Sequence, residues 1–471
     1  MSEHAITLRV ARLGTVAAAL TLGGCMNFIP AYERPAAPVP ASYAPELMPA
    51  GGSAAGAAAA EIDWPRYFAD ARLRRLIEIA LANNRDLRVA ILNIEQARAA
   101  YQVKRADELP TVGGGFTAQR QPSASGGLVN TYALGLQVTG YELDLFGRVR
   151  ALSQAAQSQL LATEEARKTV QISLISSVAS AYVALLADDE LLRVTRDTLK
   201  TRDESFKLTK LKFDNGAASQ LDTSQAEQLL ESARATLAQT QRQRSLDENA
   251  LVLLLGQAVP ADLPAPLPIA GQTVTDLPAG LPSELLTRRP DVRGAEQQLL
   301  AANANIGAAR AAFFPRISLT ANAGTASTEL DGLFKSGTWA ITGTASIVQT
   351  IFDSGRNQAN LDVAKVNKDI AIAQYEKAIQ TAFREVSDAL AGRATLGEQL
   401  RAQTALASAA QTTYNLADLR YRNGAASYLD VLDAQRSLFT AQQGVVQVQA
   451  LQVQNLMTLY KVLGGGWAER S

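Results

Sequence analysis

The chain has 471 residues, a formal net charge of zero, one cysteine and one histidine. His4 and Cys25 both lie near the start, so a catalytic histidine, a thiol nucleophile and a His/Cys metal site are excluded from the rest. No basic block interrupts the balanced charge, which leaves a nucleic-acid partner without electrostatic support and an enzyme with carboxylate chemistry alone.

Arg9 and Arg12 precede the apolar run Leu13 to Leu22, followed by Leu22-Gly23-Gly24-Cys25. Residues 1–24 read as a secretory signal, too short to span a membrane as a helix. A lone cysteine directly after Leu-Gly-Gly looks like a bacterial lipobox, with Cys25 as the lipid attachment site; the alternative is a plain cleaved signal with an incidental cysteine. Met26 stands where lipoproteins kept at the inner membrane usually carry Asp, which favours the outer membrane. Residues 25–61 are rich in Pro, Ala and Gly and form an extended, lipidated lead-in, with the ordered body expected from Ile62.

The body is a duplication. Phe213–Asp222 reads FDNGAASQLD and Tyr421–Asp430 reads YRNGAASYLD, at an offset of 208 that holds from Gly147/Gly355 to Leu255/Leu463. Upstream the offset is 205, pairing Asp86-Leu-Arg with Asp291-Val-Arg. Such a period overrides a domain count taken from length. The first repeat covers 62–256, a Pro-rich connector 257–290, the second repeat 291–464 and a tail 465–471. Asp86 and Asp291, each opening a helical run, are expected as helix N-caps.

After the first helix of each repeat the period changes to two. Tyr132, Leu134, Leu136 and Val138 alternate with Ala133, Gly135, Gln137 and Thr139. Trp339 and Ile341 alternate with Thr338, Ala340 and Thr342, and Ile317 and Leu319 lie on one side of a third segment. Phe116 marks a weaker fourth segment. This pattern suits strands with lipid on one face and water on the other, or a half-buried hairpin on a soluble domain. The lipobox, and the lack of any apolar run of 18 or more residues, favour the membrane, with Phe116, Tyr132, Leu134, Leu136, Ile317, Leu319, Trp339 and Ile341 facing lipid. Four strands cannot close a barrel, so the chain is expected to associate with itself; two, three or four copies would give 8, 12 or 16 strands.

From Val149 to Lys212 neither proline nor glycine occurs, enough for a helix of roughly 100 Å. Ile172, Ile175, Ala179, Tyr182 and Leu186 form a coiled-coil seam beside a second stripe, Leu174, Val178, Ala181 and Leu185. Two stripes imply neighbours on two sides, as in a helical cylinder, a solid bundle being the alternative. Asn-Gly then reverses the chain, with Gly taking a backbone conformation that other residues avoid. Asp430 and Asp433, three apart on one helix face near this reversal, are either solvated acids favoured by the helix dipole or a charged constriction sensitive to pH and cations.

Leu281-Pro-Ser-Glu-Leu-Leu-Thr-Arg-Arg-Pro-Asp291-Val-Arg-Gly-Ala-Glu296, Ala311-Ala-Phe-Phe-Pro315 and Pro30-x-Tyr32-x-Arg34-Pro35 together resemble the TolC-like outer-membrane efflux proteins, in their lipoprotein (NodT-type) branch. The resemblance covers essentially the whole chain after Cys25. It implies an α+β membrane protein whose four strands per chain complete a twelve-stranded barrel in a homotrimer, continuous with an α-helical periplasmic tunnel. It also implies a tripartite pump with a periplasmic adaptor and an inner-membrane transporter of the RND class, exporting small molecules such as drugs, without catalysis, metal or cofactor beyond the lipid on Cys25. The family's acidic mouth maps to Asp430 and Asp433, with Asp222 as the single matching acid of the first repeat, where Gln225 replaces the other. Tyr421 aligns with a tyrosine that ties neighbouring hairpins shut, while Ala426 replaces an arginine found in some relatives. Adaptor docking falls to the small tips Asn215, Gly216, Ala217, Ala218 and Ser219, and Asn423, Gly424, Ala425, Ala426 and Ser427. The alternative function is a non-channel periplasmic scaffold lipoprotein.

Overall fold

A computed structural model of the protein describes residues 26–47, 62–123, 126–272, 277 and 288–467. The expected signal, Cys25, much of the lead-in and much of the connector lie outside them. After a one-turn helix at Trp64–Tyr67 come α1 (Ala71–Asn83), α2 (Arg85–Ala106), β1 (Val112–Pro122), β2 (Leu128–Glu142), α3 (Arg148–Asp214) and α4 (Gln220–Leu255). The second half supplies α5 (Pro290–Ala311), β3 (Arg316–Ser327), β4 (Trp339–Val348), α6 (Arg356–Arg422) and α7 (Tyr428–Val462). Helices α3 and α6 have 67 residues each, so the two repeats produce the same succession of helix, strand pair, long helix and return helix.

Two compact units divide the chain along different lines from the repeats, each drawing on three stretches. The first comprises 1–36, 93–164 and 294–376, and holds the sheet. Its strands pair antiparallel in the order β1-β2-β3-β4. A bulge between Val138 and Tyr141, with Gly140 at φ 65°, inserts the one extra residue that keeps Tyr141 on the same face as Val138. In the same unit the N-terminal arm docks on α5. Tyr32 Oη donates to Glu296 Oε1 at 2.9 Å, and Arg34 donates through Nε at 2.8 Å and Nη2 at 3.0 Å to the same carboxylate. Asn303 Nδ2 donates to the Pro30 carbonyl at 2.8 Å, and the Phe28 ring stacks on Phe314 at 4.6 Å.

The second unit comprises 37–92, 165–293 and 377–471. Its buried knot is Asp70, which caps α1 through Arg72 N at 2.7 Å. The same carboxylate accepts from Tyr182 Oη on α3 at 3.0 Å, Leu267 N at 3.1 Å and Gln272 Nε2 at 3.2 Å. Four donors satisfy a charge that would otherwise be costly to bury. Tyr67 and Tyr460 stack at 4.2 Å, and their hydroxyls donate to the Leu456 and Ile62 carbonyls. Gly256, at φ 69°, ends α4 where a Cβ would stand 2.6 Å from the Asn83 carbonyl.

Three expectations are corrected. Asp86 lies in the first turn of α2; the cap is Asn84, whose extended backbone aims Oδ1 at Leu87 N, 3.0 Å away. Asp291 is likewise inside its helix, because Pro290 takes the first helical position. Its carboxylate binds Arg289 instead, and that buried guanidinium also reaches Glu385 at 2.8 Å and the Val462 carbonyl at 3.0 Å. The third concerns apolar length. Helix α3 contains an 18-residue window of mean hydropathy 1.8, long and apolar enough by composition to cross a membrane. Interspersed Ser, Thr and Gln hide it in the sequence, and Ile175, Val178, Ala179, Tyr182 and Val183 on this helix are buried in protein.

Glu296→Ala strips Tyr32 and Arg34 of their shared acceptor, a loss of about 2 kcal/mol for hydrogen bonds to a charged group. Limited proteolysis is expected to cut the arm around residues 26–36 more than tenfold faster in that variant. Unchanged cutting would show that the arm is held by other contacts.

Candidate functional site

Both helix reversals are built identically. Gly216 (φ 71°) and Gly424 (φ 74°) adopt the left-handed conformation. Ala217 N donates to the Lys212 carbonyl at 2.7 Å and Gly216 N to Phe213 at 2.9 Å; the second tip repeats this with Ala425 to Arg420 at 2.8 Å and Gly424 to Tyr421 at 3.0 Å. These are the paired bonds of a Schellman stop, reinforced by Asn215 and Asn423, whose amides each donate to a carbonyl four residues back at 2.7 Å. A capping box then starts each return helix. Asp222 N donates to Ser219 Oγ at 3.1 Å while Asp222 Oδ2 accepts from Ser219 N at 3.1 Å. Asp430 and Ser427 do the same at 3.3 and 3.0 Å.

The structure therefore gives each expected mouth acid a local partner. Asp222 and Asp430 are in caps, and Asp433, exposed, has Arg436 Nη1 at 3.4 Å. Tyr421 reaches the other hairpin, where Lys212 Nζ lies 4.1 Å from its ring centroid. At the tips Asn215, Gly216, Ala217, Ser219, Asn423, Gly424, Ala425 and Ser427 are exposed, with Ala218 and Ala426 half-buried.

Between the hairpins sits a cluster that sequence reasoning missed. Ala226, Leu229, Tyr428, Val431 and Leu432 form a buried core, with Phe206, Tyr414 and Tyr421 against it. Tyr428 joins the hairpins by a 2.8 Å hydrogen bond with Ser205 Oγ and packs on Tyr421 at 5.2 Å. The signal was present: the first tip has Gln220 where the second has Tyr428, and Phe213 where it has Tyr421. A capping box was legible too, as Ser-x-x-Asp in both copies.

In the sheet, register places all eight expected apolar residues on one face. Phe116, Leu134, Thr325 and Trp339 form one cross-strand row; Gly114, Leu136, Ala323 and Ile341 form the next. Tyr132 pairs with Ser327, Leu319 with Ala345 and Ile317 with Ile347 along the same face. Leu136, Trp339 and Ile341 are 60%, 63% and 68% exposed, while Tyr132, Ile317 and Leu319 are half-buried. The opposite face carries Gln137, Asn322 and Thr342 in a row, then Thr320 with Thr344. The alternating run read from the sequence extends to Ile351, but β4 ends at Val348, and Ile351 lies outside the strands with Phe334 and Phe352, which the alternation had not flagged; all three are largely exposed.

A family model for outer membrane efflux proteins matches residues 76–257 and 281–465. The chain belongs to the outer membrane efflux protein family. A relative from Pseudomonas putida, the probable efflux pump outer membrane protein TtgC, is 48% identical over 98% of this chain and 96% of its own length. The outer membrane protein OprJ of Pseudomonas aeruginosa is 45% identical, over 96% of this chain and 95% of its own. The open state of the Neisseria gonorrhoeae MtrE outer membrane channel has a similar fold, with a TM-score of 0.85 and 42% identity over 94% of this chain and 98% of that one. The chain is an outer-membrane efflux channel protein with the fold of its family, a small antiparallel sheet joined to long helical hairpins.

Away from the tips of this efflux protein, burial and then the neighbouring Asp247 and Asp189 push the Asp188 carboxyl up to about 7, against the pull of Arg244. The folded state holds this proton more tightly than the unfolded chain, where Asp titrates near about 4. The stabilisation is thus complete at low pH and is lost as pH rises to about 7. Thermal midpoints of Asp188→Asn are expected to be flatter across that window than those of the parent. Equal slopes would refute a proton held between Asp188 and Asp247.

Proposed function

We propose that three copies of this chain form the passive exit duct of a tripartite efflux pump, and that small molecules such as drugs leave through it without any catalytic step in the protein. The observation that carries this reading is the sheet, with one exposed apolar face and outer strands β1 and β4 each paired on a single side. Unpaired backbone groups in hydrocarbon cost several kcal/mol each, so in a membrane these edges need the strands of neighbouring copies. Three copies give the twelve-stranded barrel implied by the family resemblance. Lipid would meet Phe116, Tyr132, Leu134, Leu136, Ile317, Leu319, Trp339 and Ile341, and the Gln137, Asn322 and Thr342 face would line water. A lipid on Cys25 adds a second anchor.

At the periplasmic end the gate is assigned to Asp222, Tyr421, Asp430 and Asp433, with the exposed small tips receiving an adaptor whose inner-membrane transporter, of the RND class, supplies the energy. Asp222 and Asp430 support this role through an economy of structure, since the acids that start the return helices also carry negative charge to the mouth. Opening then amounts to parting the hairpins that Tyr428, Ser205, Tyr421 and Lys212 hold together.

Planar-bilayer recording tests the duct directly. The purified protein is expected to conduct poorly when closed, and Asp430→Asn with Asp433→Asn to raise conductance and weaken block by divalent cations. A chain that never conducts, in parent or variant, would overturn the channel reading. In cells, Cys25→Ser is expected to abolish incorporation of labelled palmitate; continued labelling would place the lipid elsewhere.

A further inference from the structure

A cavity of about 270 Å3 lies within the second unit, lined by residues of α3, α6 and α7. Its lining includes Thr201, Arg202, Tyr414, Gln435, Phe439 and Gln442. Arg202 is 3% exposed and Gln435 6%. The guanidinium lies over the Phe439 ring at 5.1 Å and donates through Nη1 to the Leu229 carbonyl at 3.0 Å. Its Nε is buried without a partner, and so is Gln435 Oε1. Among the described residues no carboxylate pairs with Arg202. The acid at the cavity, Asp197, is mostly exposed and bound to Arg193 at 3.0 Å.

A buried guanidinium without a counter-ion is a costly arrangement, and it is relieved by an anion that accepts from the unpartnered Nε. A second positive charge sharpens the demand. Burial first, and then Arg436, lower the Arg202 pKa, so two guanidiniums repel across this region. Meanwhile Gln435 Oε1 is an acceptor that lacks a donor. A ligand that answers both groups carries a carboxylate for Arg202 and a hydroxyl for Gln435. The volume lies just below the range typical of pockets for drug-sized molecules, which points to a ligand of only a few carbons.

We propose that the Arg202–Gln435 cavity is a binding site for a small hydroxycarboxylate, held by charge-assisted hydrogen bonds from Arg202 and by donation of its hydroxyl to Gln435. Occupancy would neutralise Arg202, and with it the repulsion felt by Arg436 beside its contact with Asp433. The site rests on side chains of a single unit and stands whether or not the chain conducts.

Calorimetric titration of the detergent-purified full chain tests the site, with L-malate as probe, its neutral diamide as the uncharged control and sodium chloride at matched ionic strength. The expected result is saturable heat for malate at one per chain, with neither control producing it. Gln435→Glu supplies a carboxylate from within; it is expected to lose malate binding at least tenfold and to melt a few degrees higher without ligand. Arg202→Met is expected to lose binding outright, and Gln435→Glu keeps the test decisive if that variant does not fold. Heat for malate no different from that for the diamide would overturn the proposal, including the case in which a neighbouring copy already fills the cavity. So would Gln435→Glu that binds malate as the parent does.

Discussion

Everything at the periplasmic end depends on stopping a 67-residue helix and starting another after only five residues, 215–219 in the first copy and 423–427 in the second. A helix end leaves four carbonyls unsatisfied and the next helix start leaves four amides. The tips meet both needs locally, with a left-handed glycine closing the first helix and a Ser-x-x-Asp box opening the second. Without that closure the two rods of each hairpin would diverge and the cluster around Tyr428 could not form. The stop and start are also why the acids stand where they do, since Asp222 and Asp430 are needed as caps before they are available as charge.

The sheet is governed by the same accounting of backbone groups. Within one chain β2 and β3 are paired on both sides and the two outer strands on one. The row Gly115, Gly135, Gly324 and Ala340 runs across the face opposite the apolar one. There a Cβ on Gly324 would stand 2.5 Å from the Gly135 Cα, so the strands approach more closely than side chains would permit. Small residues on that side and bulky ones on the other are the composition of a sheet that curves with its apolar face outward.

The stretches that carry the family resemblance prove to be fasteners. Tyr32 and Arg34 tie the arm to Glu296, and Arg289 ties the start of α5 to α6 and α7 through Glu385 and the Val462 carbonyl. Asp70 gathers α1, α3 and the end of α4's following segment in one buried knot. Each is a charged group sunk into the protein and fully engaged, so losing one partner leaves the other stranded.

What the sequence determined by itself is whatever repeats or alternates. The duplicated Asn-Gly-Ala-Ala-Ser, the proline-free stretch Val149 to Lys212 and the period-two runs around Leu134 and Ile341 each express a local backbone preference, and the helices, reversals and strands follow from them. The common face of the eight strand residues was equally legible, because a two-residue period and antiparallel pairing leave little freedom. Tertiary structure alone decided the rest. Nothing local distinguishes Arg202 from the solvated arginines around it, or Ser205 as the partner of Tyr428, since their partners lie on other helices. Asn84 displaced Asp86 as a cap because capping depends on backbone angles at one residue, and Arg289 was assigned by packing rather than by pattern. Periodicity reports the faces an element must present; which charges become buried between those faces depends on how distant segments meet.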